Sequence, residues 1–398
     1  MSPRAALEGV KVLDISTFMA GPWSAVHLAN FGADVLKVER PVIGDQIRRF
    51  GGEKNGASIL WPGLAHNKKG ISLNLSDPRG AEILKRLVGD FDVVVENFRP
   101  GTLEKWGLGW DVLREINPRL IMLRITGYGQ DGPYRSRPGF GSIMEAFAGF
   151  AHMTGQLGGP PTIPPVPLAD GSTAMLGAFA VMVALYWRDV HGGTGQQIDL
   201  SLYESMLQLE EPRLADWELA GKSTIRAGNR LEDGAPRNTF PCQDGEWICL
   251  SGSSQETALR VFDAIGRPEL KTSEKFHTNA ARVRNNDELE DLIRGFTQSR
   301  ARQEVLDRFG ELGVPAAPIY DIPGVFEDKH VKSRGTFQTV SDDKLGTFRL
   351  LSVVPRLSET PGQITSTGPK LGEHNAEVFA KLGLTDDEIR NLEAGGVI

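Results

Sequence analysis

The chain has 398 residues, 40% of them hydrophobic and 24% charged, with a formal net charge of −7. That composition supports a sizeable core divided over about two or three domains, and the acidic balance argues against a nucleic-acid or membrane-surface protein. An anionic ligand would have to be met by local basic groups.

The stretch from Met1 to Gly9 lacks an apolar run of signal-peptide length. No segment reaches about 18 uninterrupted apolar residues, so no membrane span is expected. The longest apolar tract, Ala174 to Trp187, reads as a buried helix. The two cysteines, Cys242 and Cys249, lie in a strand-like stretch without metal-site or redox spacing. So few thiols suit a reducing compartment, and a cytoplasmic location is expected.

Strand and helix signals alternate through the first half. Short apolar runs at Val10–Ile15, Ala33–Val38, Gly70–Leu75, Val93–Val95 and Leu120–Ile125 read as strands. Trp23–Phe31 reads as a helix. Asp77-Pro78 reads as an N-cap followed by proline at the first helical position, and Ile83, Leu84, Leu87 and Val88 recur at helical spacing behind it. This alternation predicts a Rossmann-like parallel sheet with helices on both faces and a ligand at the carboxyl ends of the strands. Asp14, Arg40 and Asn97 lie at or past those ends.

A Gly- and Pro-rich loop, Gly155 to Pro167, leads to Ala169-Asp170-Gly171 and a long helix over about Ser172 to Asp189. Gln197–Leu202 looks like a strand, and the texture becomes polar from about Arg213. The expected organisation is a large α/β domain over 1–210, a smaller α+β domain over 222–325, and a segment over 330–398 returning to the large domain.

Chemistry-bearing motifs are sparse. The glycines form neither a dinucleotide fingerprint nor a Walker loop, so no nicotinamide or ATP is expected. The seven histidines are scattered and predict no metal. Asp170 has two readings. As a helix N-cap it would accept amide hydrogen bonds from Ser172 or Thr173. As an ionised carboxylate beside an electrophile, with helix amides near, it could serve as a nucleophile. Its position fits both. Arg40, Lys68, Lys69, Arg99, Lys105, Arg135 and Arg137 recur where a phosphate-bearing ligand could use them, arginine offering a planar fork of donors. Lys68 and Lys69 fit a solvated surface equally well.

A series of short motifs then falls into a familiar order: Leu7-Glu8-Gly9, Val12-Leu13-Asp14, Ala20-Gly21-Pro22, Gly32-Ala33-Asp34-Val35, Lys37-Val38-Glu39-Arg40, Asn67-Lys68-Lys69-Gly70-Ile71, Val95 to Gly101, Gly127-Tyr128-Gly129, Thr194-Gly195-Gln196 and Leu371-Gly372-Glu373-His374. In this order the chain resembles the class III CoA-transferases, the formyl-CoA transferase and carnitine CoA-transferase family, over nearly its whole length. The resemblance implies coenzyme A, carried as acyl-CoA, as substrate and a free carboxylic acid as acceptor. It implies Asp170 as the catalytic residue, passing through an aspartyl anhydride and an aspartyl-CoA thioester. It implies CoA contacts from Met19, Ala20, Arg40, Leu73, Asn74, Leu75, Asn97, Phe98, Arg99, Lys105, Arg137 and Phe140. It also implies two ring-shaped chains interlocked as a homodimer.

Met19 replaces a glutamine of the formyl-CoA branch, and that branch's glycine-rich flap has no clear counterpart beyond Ser251-Gly252-Ser253-Ser254. Formate and oxalate are therefore disfavoured. Short dicarboxylic acids are expected, with Arg226, Arg230 and Arg237 as candidates to meet them. Two competing readings are an α-methylacyl-CoA racemase, which would need a base that this sequence lacks near Gly139-Phe140-Gly141, and a non-catalytic CoA-binding subunit of a hetero-oligomer.

Overall fold

The computed structural model describes residues 5–398. It divides into two compact units. The large unit runs to Phe150, resumes from Ile163 to Gly221, and returns from Gly335 to the C-terminus. The small unit comprises Lys222–Arg334 and the short segment Ala151–Thr162.

The large unit is built on six parallel strands: β1 (Lys11–Asp14), β2 (Asp34–Glu39), β3 (Lys68–Ser72), β4 (Val93–Glu96), β5 (Ile121–Thr126) and β6 (Gln197–Ser201). Their spatial order is 3-2-1-4-5-6. That is the doubly wound order in which the winding reverses between β1 and β4, opening a crevice at their carboxyl ends. Alternate side chains feed two cores: Val12, Val93 and Val95 face one, Leu13, Val94 and Met122 the other.

The first core is covered by α1 (Ala20–Ala29). The second is covered by α2 (Pro78–Val88), where Asp77 caps the Arg79 amide at 2.9 Å. Next come α3 (Gly141–Phe147), α4 (Leu168–Val190) and α5 (Leu202–Ala220). The Ser201 hydroxyl caps the Glu204 amide at the start of α5. The helix continues past Pro212, so the large unit extends beyond the expected boundary at 210. The chain end also returns here: Val397 and Ile398 are buried in the second core, and the Val397 carbonyl accepts the Asn74 amide at 2.7 Å.

The helix α4 is not buried all round, contrary to expectation. Ala174, Gly177, Val181, Ala184 and Leu185 pack inward, while Met175, Phe179, Val183, Tyr186 and Trp187 are exposed on the other side. Its 23 residues would suffice to cross a bilayer, but the inner face belongs to the first core.

The small unit carries an antiparallel sheet of β7 (Arg237–Pro241), β8 (Trp247–Ser251) and β9 (Ala316–Pro318), with α6 (Gln255–Ala264) and α7 (Asn286–Gln298) on its core. Arg226 holds the segment Ala151–Thr162 to this unit by donating to the carbonyls of Gly159 and His152 at 2.8 and 2.7 Å. Arg230 forks onto Glu290 at 2.7 Å and Asp287 at 2.6 Å. Two of the three arginines expected to meet a dicarboxylate are thus committed to the scaffold, and the third, Arg237, opens β7 half-buried. Ser251 to Ser254 forms the turn into α6, where Ser254 caps Thr257.

Candidate active site

At the winding reversal the ends of β1 and β4 are clipped together. The Asn97 side chain accepts the Thr17 amide at 2.7 Å and donates to the Thr17 carbonyl at 2.6 Å. Its amide is therefore spent on the backbone, and Asn97 shapes the crevice. Behind it, Glu96 accepts the Phe98 amide at 2.7 Å and pairs with Arg124 at 2.6 Å. Burial pushes the Glu96 carboxyl up to about 6 even though Arg124 opposes that shift.

Three adjoining cavities of the large unit follow this crevice. One of about 270 Å³ is lined by Arg40, Leu73, Asn74, Leu75 and Phe98. A second, of about 210 Å³, shares Thr17 and Phe98 with it and adds Asn97, Arg99, Arg135, Arg137 and Asp170. A third shares Phe18, Met19, Phe140 and Asp170 with the second, and adds Glu145 and Pro164 to Pro167. Of the expected CoA-contacting residues, all but Lys105 line this run, Ala20 included. Lys105 is exposed at the end of a short helical turn. Among the described residues no histidine lines any of the three cavities, so no histidine base for a racemase is found there.

Asp170 lies in the first turn of α4 but does not cap it; Pro167 holds the N-cap position without a side-chain bond. The carboxylate instead faces the amide of Ala20, at the open N-terminus of α1, which draws its pKa down. The helix is entered four residues earlier than the sequence suggests, at Leu168, which turns the side chain away from the Ser172 and Thr173 amides. Close approach is possible because position 141 is glycine: a Cβ there would stand 2.2 Å from Asp170 Oδ2. Burial, reinforced by the neighbouring Glu145 carboxylate, pushes Asp170 up to about 6, against the pull of the Ala20 amide. No ion pair to Asp170 occurs among the described residues.

The basic residues divide sharply. Lys68 is buried, donating to Asp14 at 2.8 Å and to the Pro22 carbonyl at 2.7 Å, so it is structural and no phosphate ligand. Its partner lies 54 residues away in sequence, which hid the pairing. Lys69 pairs with Glu377 at the surface. Arg40 and Arg99 are exposed, and the Arg137 guanidinium lies 3.6 Å from the centre of the Tyr134 ring.

Comparison with known proteins gives the family. The model of CoA-transferase family III matches residues 7–375. This chain belongs to that family. It is 42% identical over 398 residues to the succinyl-CoA–D-citramalate CoA-transferase of Chloroflexus aurantiacus, covering 100% of this chain and 99% of the relative. It is 43% identical to the succinyl-CoA–L-malate CoA-transferase beta subunit of the same organism, covering 98% of each. The crystal structure of a CaiB/BaiF family protein from Brucella suis matches with a TM-score of 0.83 and 32% identity, covering 95% of this chain and 100% of that one. The protein is thus a CoA-transferase, acting on CoA thioesters.

Several residues of this CoA-transferase that sequence reasoning passed over also border the cavities. Gln46 lines all three, supplying from a short 3-10 helix over Gln46–Arg49 an amide side chain where Met19 does not. Phe18 lies in the left-handed region at φ 68°, a costly conformation for an aromatic residue. It is held there by its amide bond to Asp45 at 3.0 Å, and its ring meets Phe50 at 5.0 Å and Phe140 at 6.4 Å. Glu145 is the third. A buried glutamate announces itself in a sequence only through an apolar helix pattern around it, and Met144–Phe147 is too short to give one.

Proposed function

We propose that this CoA-transferase moves CoA from succinyl-CoA, or a similar short dicarboxylic thioester, to a second short dicarboxylic acid through covalent states of Asp170. The observation that carries this reading is Asp170 itself: a carboxylate without cap role and, among the described residues, without ion pair, at the end of a crevice bordered by all the expected CoA-contacting residues but Lys105. The names of the citramalate and malate relatives support succinyl-CoA as donor. Arg99, Arg135 and Arg137 supply the cations along the Asp170 cavity that a second carboxylate of the acyl group would need.

In the first step an Asp170 oxygen attacks the thioester carbonyl. The C–S bond breaks, CoA leaves as thiolate, and a mixed anhydride forms. The thiolate attacks the Asp170 carbonyl and expels the donor acid, leaving an aspartyl-CoA thioester. The acceptor carboxylate attacks that thioester and releases the thiolate again. The thiolate then attacks the acceptor's acyl carbon, giving the new acyl-CoA and free Asp170. One carboxylate and one thiolate exchange at each stage, so no net proton is needed. The Ala20 amide at the head of α1 is positioned to hold the oxygen on which charge collects. Phe18, Met19, Phe50 and Phe140 give the cavity an apolar rim that disfavours hydrolysis of the anhydrides.

The working form in this reading is a cytoplasmic homodimer, whose second chain covers the exposed apolar side of α4. Mass photometry at nanomolar concentration checks it: a folded monomer would remove the dimer. For the chemistry, incubation with succinyl-CoA alone followed by hydroxylamine should convert Asp170 to its hydroxamate, read as a mass change on its peptide. Mass spectrometry of the acyl-CoA pool with malate, citramalate, glutarate and acetate as acceptors should then show transfer to the dicarboxylates over acetate. Equal use of acetate would sink the substrate assignment, and an unmodified Asp170 would sink the mechanism.

A further inference from the structure

We propose that Glu145 is a positioning residue for the transfer: its buried carboxylate anchors the first turn of α4 and makes the free Asp170 carboxylate less favourable than its acylated states. This rests on Asp170 acting as the nucleophile.

Glu145 lies on α3 and is 1% exposed. One of its oxygens accepts the Ala169 amide at 3.1 Å, so it binds the backbone of the residue next to Asp170. Both carboxylates line the same cavity. No ion pair to Glu145 occurs among the described residues. A buried, unpaired carboxylate is expensive, and a neutral side chain could have accepted the same amide. What a charge adds, and a neutral acceptor does not, is repulsion of a second negative group close by.

That repulsion acts only while Asp170 is an anion. When an Asp170 oxygen bonds to the acyl carbon and the C–S pair leaves with sulfur, the negative charge passes to the thiolate. The Glu145–Asp170 repulsion is then relieved. It therefore raises the free enzyme relative to the anhydride and the aspartyl-CoA thioester, and it makes the Asp170 oxygen more basic and more nucleophilic. The raised Asp170 carboxyl, near 6 through burial and Glu145, has the direction this requires. The other charged groups bordering Asp170 are Arg99 from the turn after β4, and Arg135 and Arg137 from the loop after β5. From α5 only the apolar Leu202 borders it, and α1 offers the Ala20 amide.

Glu145→Gln tests the charge alone, because the amide oxygen still accepts from Ala169. The acid limb of the kcat/KM profile should move to lower pH by about half a unit or more, and the plateau rate should fall roughly tenfold. A variant with wild-type limb and wild-type rate would make Glu145 merely structural and overturn the proposal. If Glu145→Gln does not fold, as judged by circular dichroism, carboxyl-carbon NMR titration of the wild type decides. The Asp170 carboxyl must titrate well above the ordinary carboxylate range, and a single unperturbed step at the ordinary value overturns the idea. Hydroxylamine trapping on the wild type separates this proposal from its foundation. A trapped Asp170 with an unmoved limb removes only Glu145's role, whereas no trapped Asp170 removes the nucleophile as well.

Discussion

Two groups of buried carboxylates stand near the crevice, and the protein treats them in opposite ways. In the first, Asp14 and Asp45 share two buried lysines: Lys68 meets Asp14 at 2.8 Å, and Lys37 meets Asp45 at 3.1 Å and Asp14 at 3.8 Å. Ser16 also donates to Asp14. Burial alone would raise Asp14, but the charges of Lys37 and Lys68 outweigh it and hold the carboxyl below its ordinary range. In the second, Asp170 and Glu145 have no such partners among the described residues, and burial with the neighbouring Glu145 lifts Asp170 to about 6. The first arrangement fixes structure: Asp45, anchored by Lys37, holds Phe18 in its left-handed turn beside the cavity. In the proposed mechanism the second leaves a carboxylate free to react. On that mechanism, compensation separates a carboxylate that builds a site from one that works in it.

Substituting each group breaks the comparison most directly. Asp170→Asn keeps an acceptor for the Ala20 amide but cannot form an anhydride, so turnover should fall by several orders of magnitude while the fold persists. Circular dichroism and a succinyl-CoA transfer assay check it. Substantial residual activity would place Asp170 with the structural carboxylates. Lys68→Met should do the reverse. Removing one partner of a buried pair leaves uncompensated charge and costs about 3–5 kcal/mol of stability, measured by urea denaturation at fixed protein concentration. A loss within about 0.5 kcal/mol, the range of ordinary surface changes, would mean that Asp14 is not compensated as described.

The same contrast explains what was legible beforehand. The β-branched runs at Val93–Val95 and Leu120–Ile125 mark strands because a strand buried on both faces has to be apolar throughout. The order of those strands, and hence the crevice, follows from alternation with helices. Lys68 and Arg40 look alike as isolated basic residues, since nothing local reveals that Asp14 closes over one of them. Glu145 and Asp170 become a pair only through the packing of α3 against the start of α4. Arg226 and Arg230 looked free because their partners, the Gly159 carbonyl and Glu290, lie far along the chain. The outer face of α4 was read as core because its apolar residues run right round the helix.

Arg40 sharpens the distinction between the two kinds of basic residue. It is exposed at the rim of the cavity lined by Leu73 to Leu75. Arg40→Ala should leave stability unchanged and weaken acyl-CoA binding by about 1.5–3 kcal/mol, the range for charged hydrogen bonds. Isothermal titration with CoA and with dephospho-CoA reads the effect. Unchanged affinity for both would remove Arg40 from the site.

The smallest effect concerns pH, and its sign separates the two carboxylate groups. Asp170 has a folded value near 6 against an ordinary 3.8. Between those values the folded state keeps a proton that the unfolded chain has lost. Stability therefore falls as pH rises from about 4 to about 6, and it stays lowered above that. Asp14 behaves oppositely: its folded value is depressed, so its contribution is present at neutral pH and is lost as pH falls through that folded value. Asp170→Asn removes only the first dependence. Unfolding curves of wild type and variant should converge near pH 4 and separate as pH rises. The variant should become more stable by on the order of 1–2 kcal/mol at pH 7, the direction expected when an unfavourably placed charge is removed. Urea denaturation at several values between pH 4 and 8, at one protein concentration, measures the separation. A constant offset across that range would mean that the Asp170 charge carries no folding penalty. The two carboxylate groups would then differ in surroundings but not in energy.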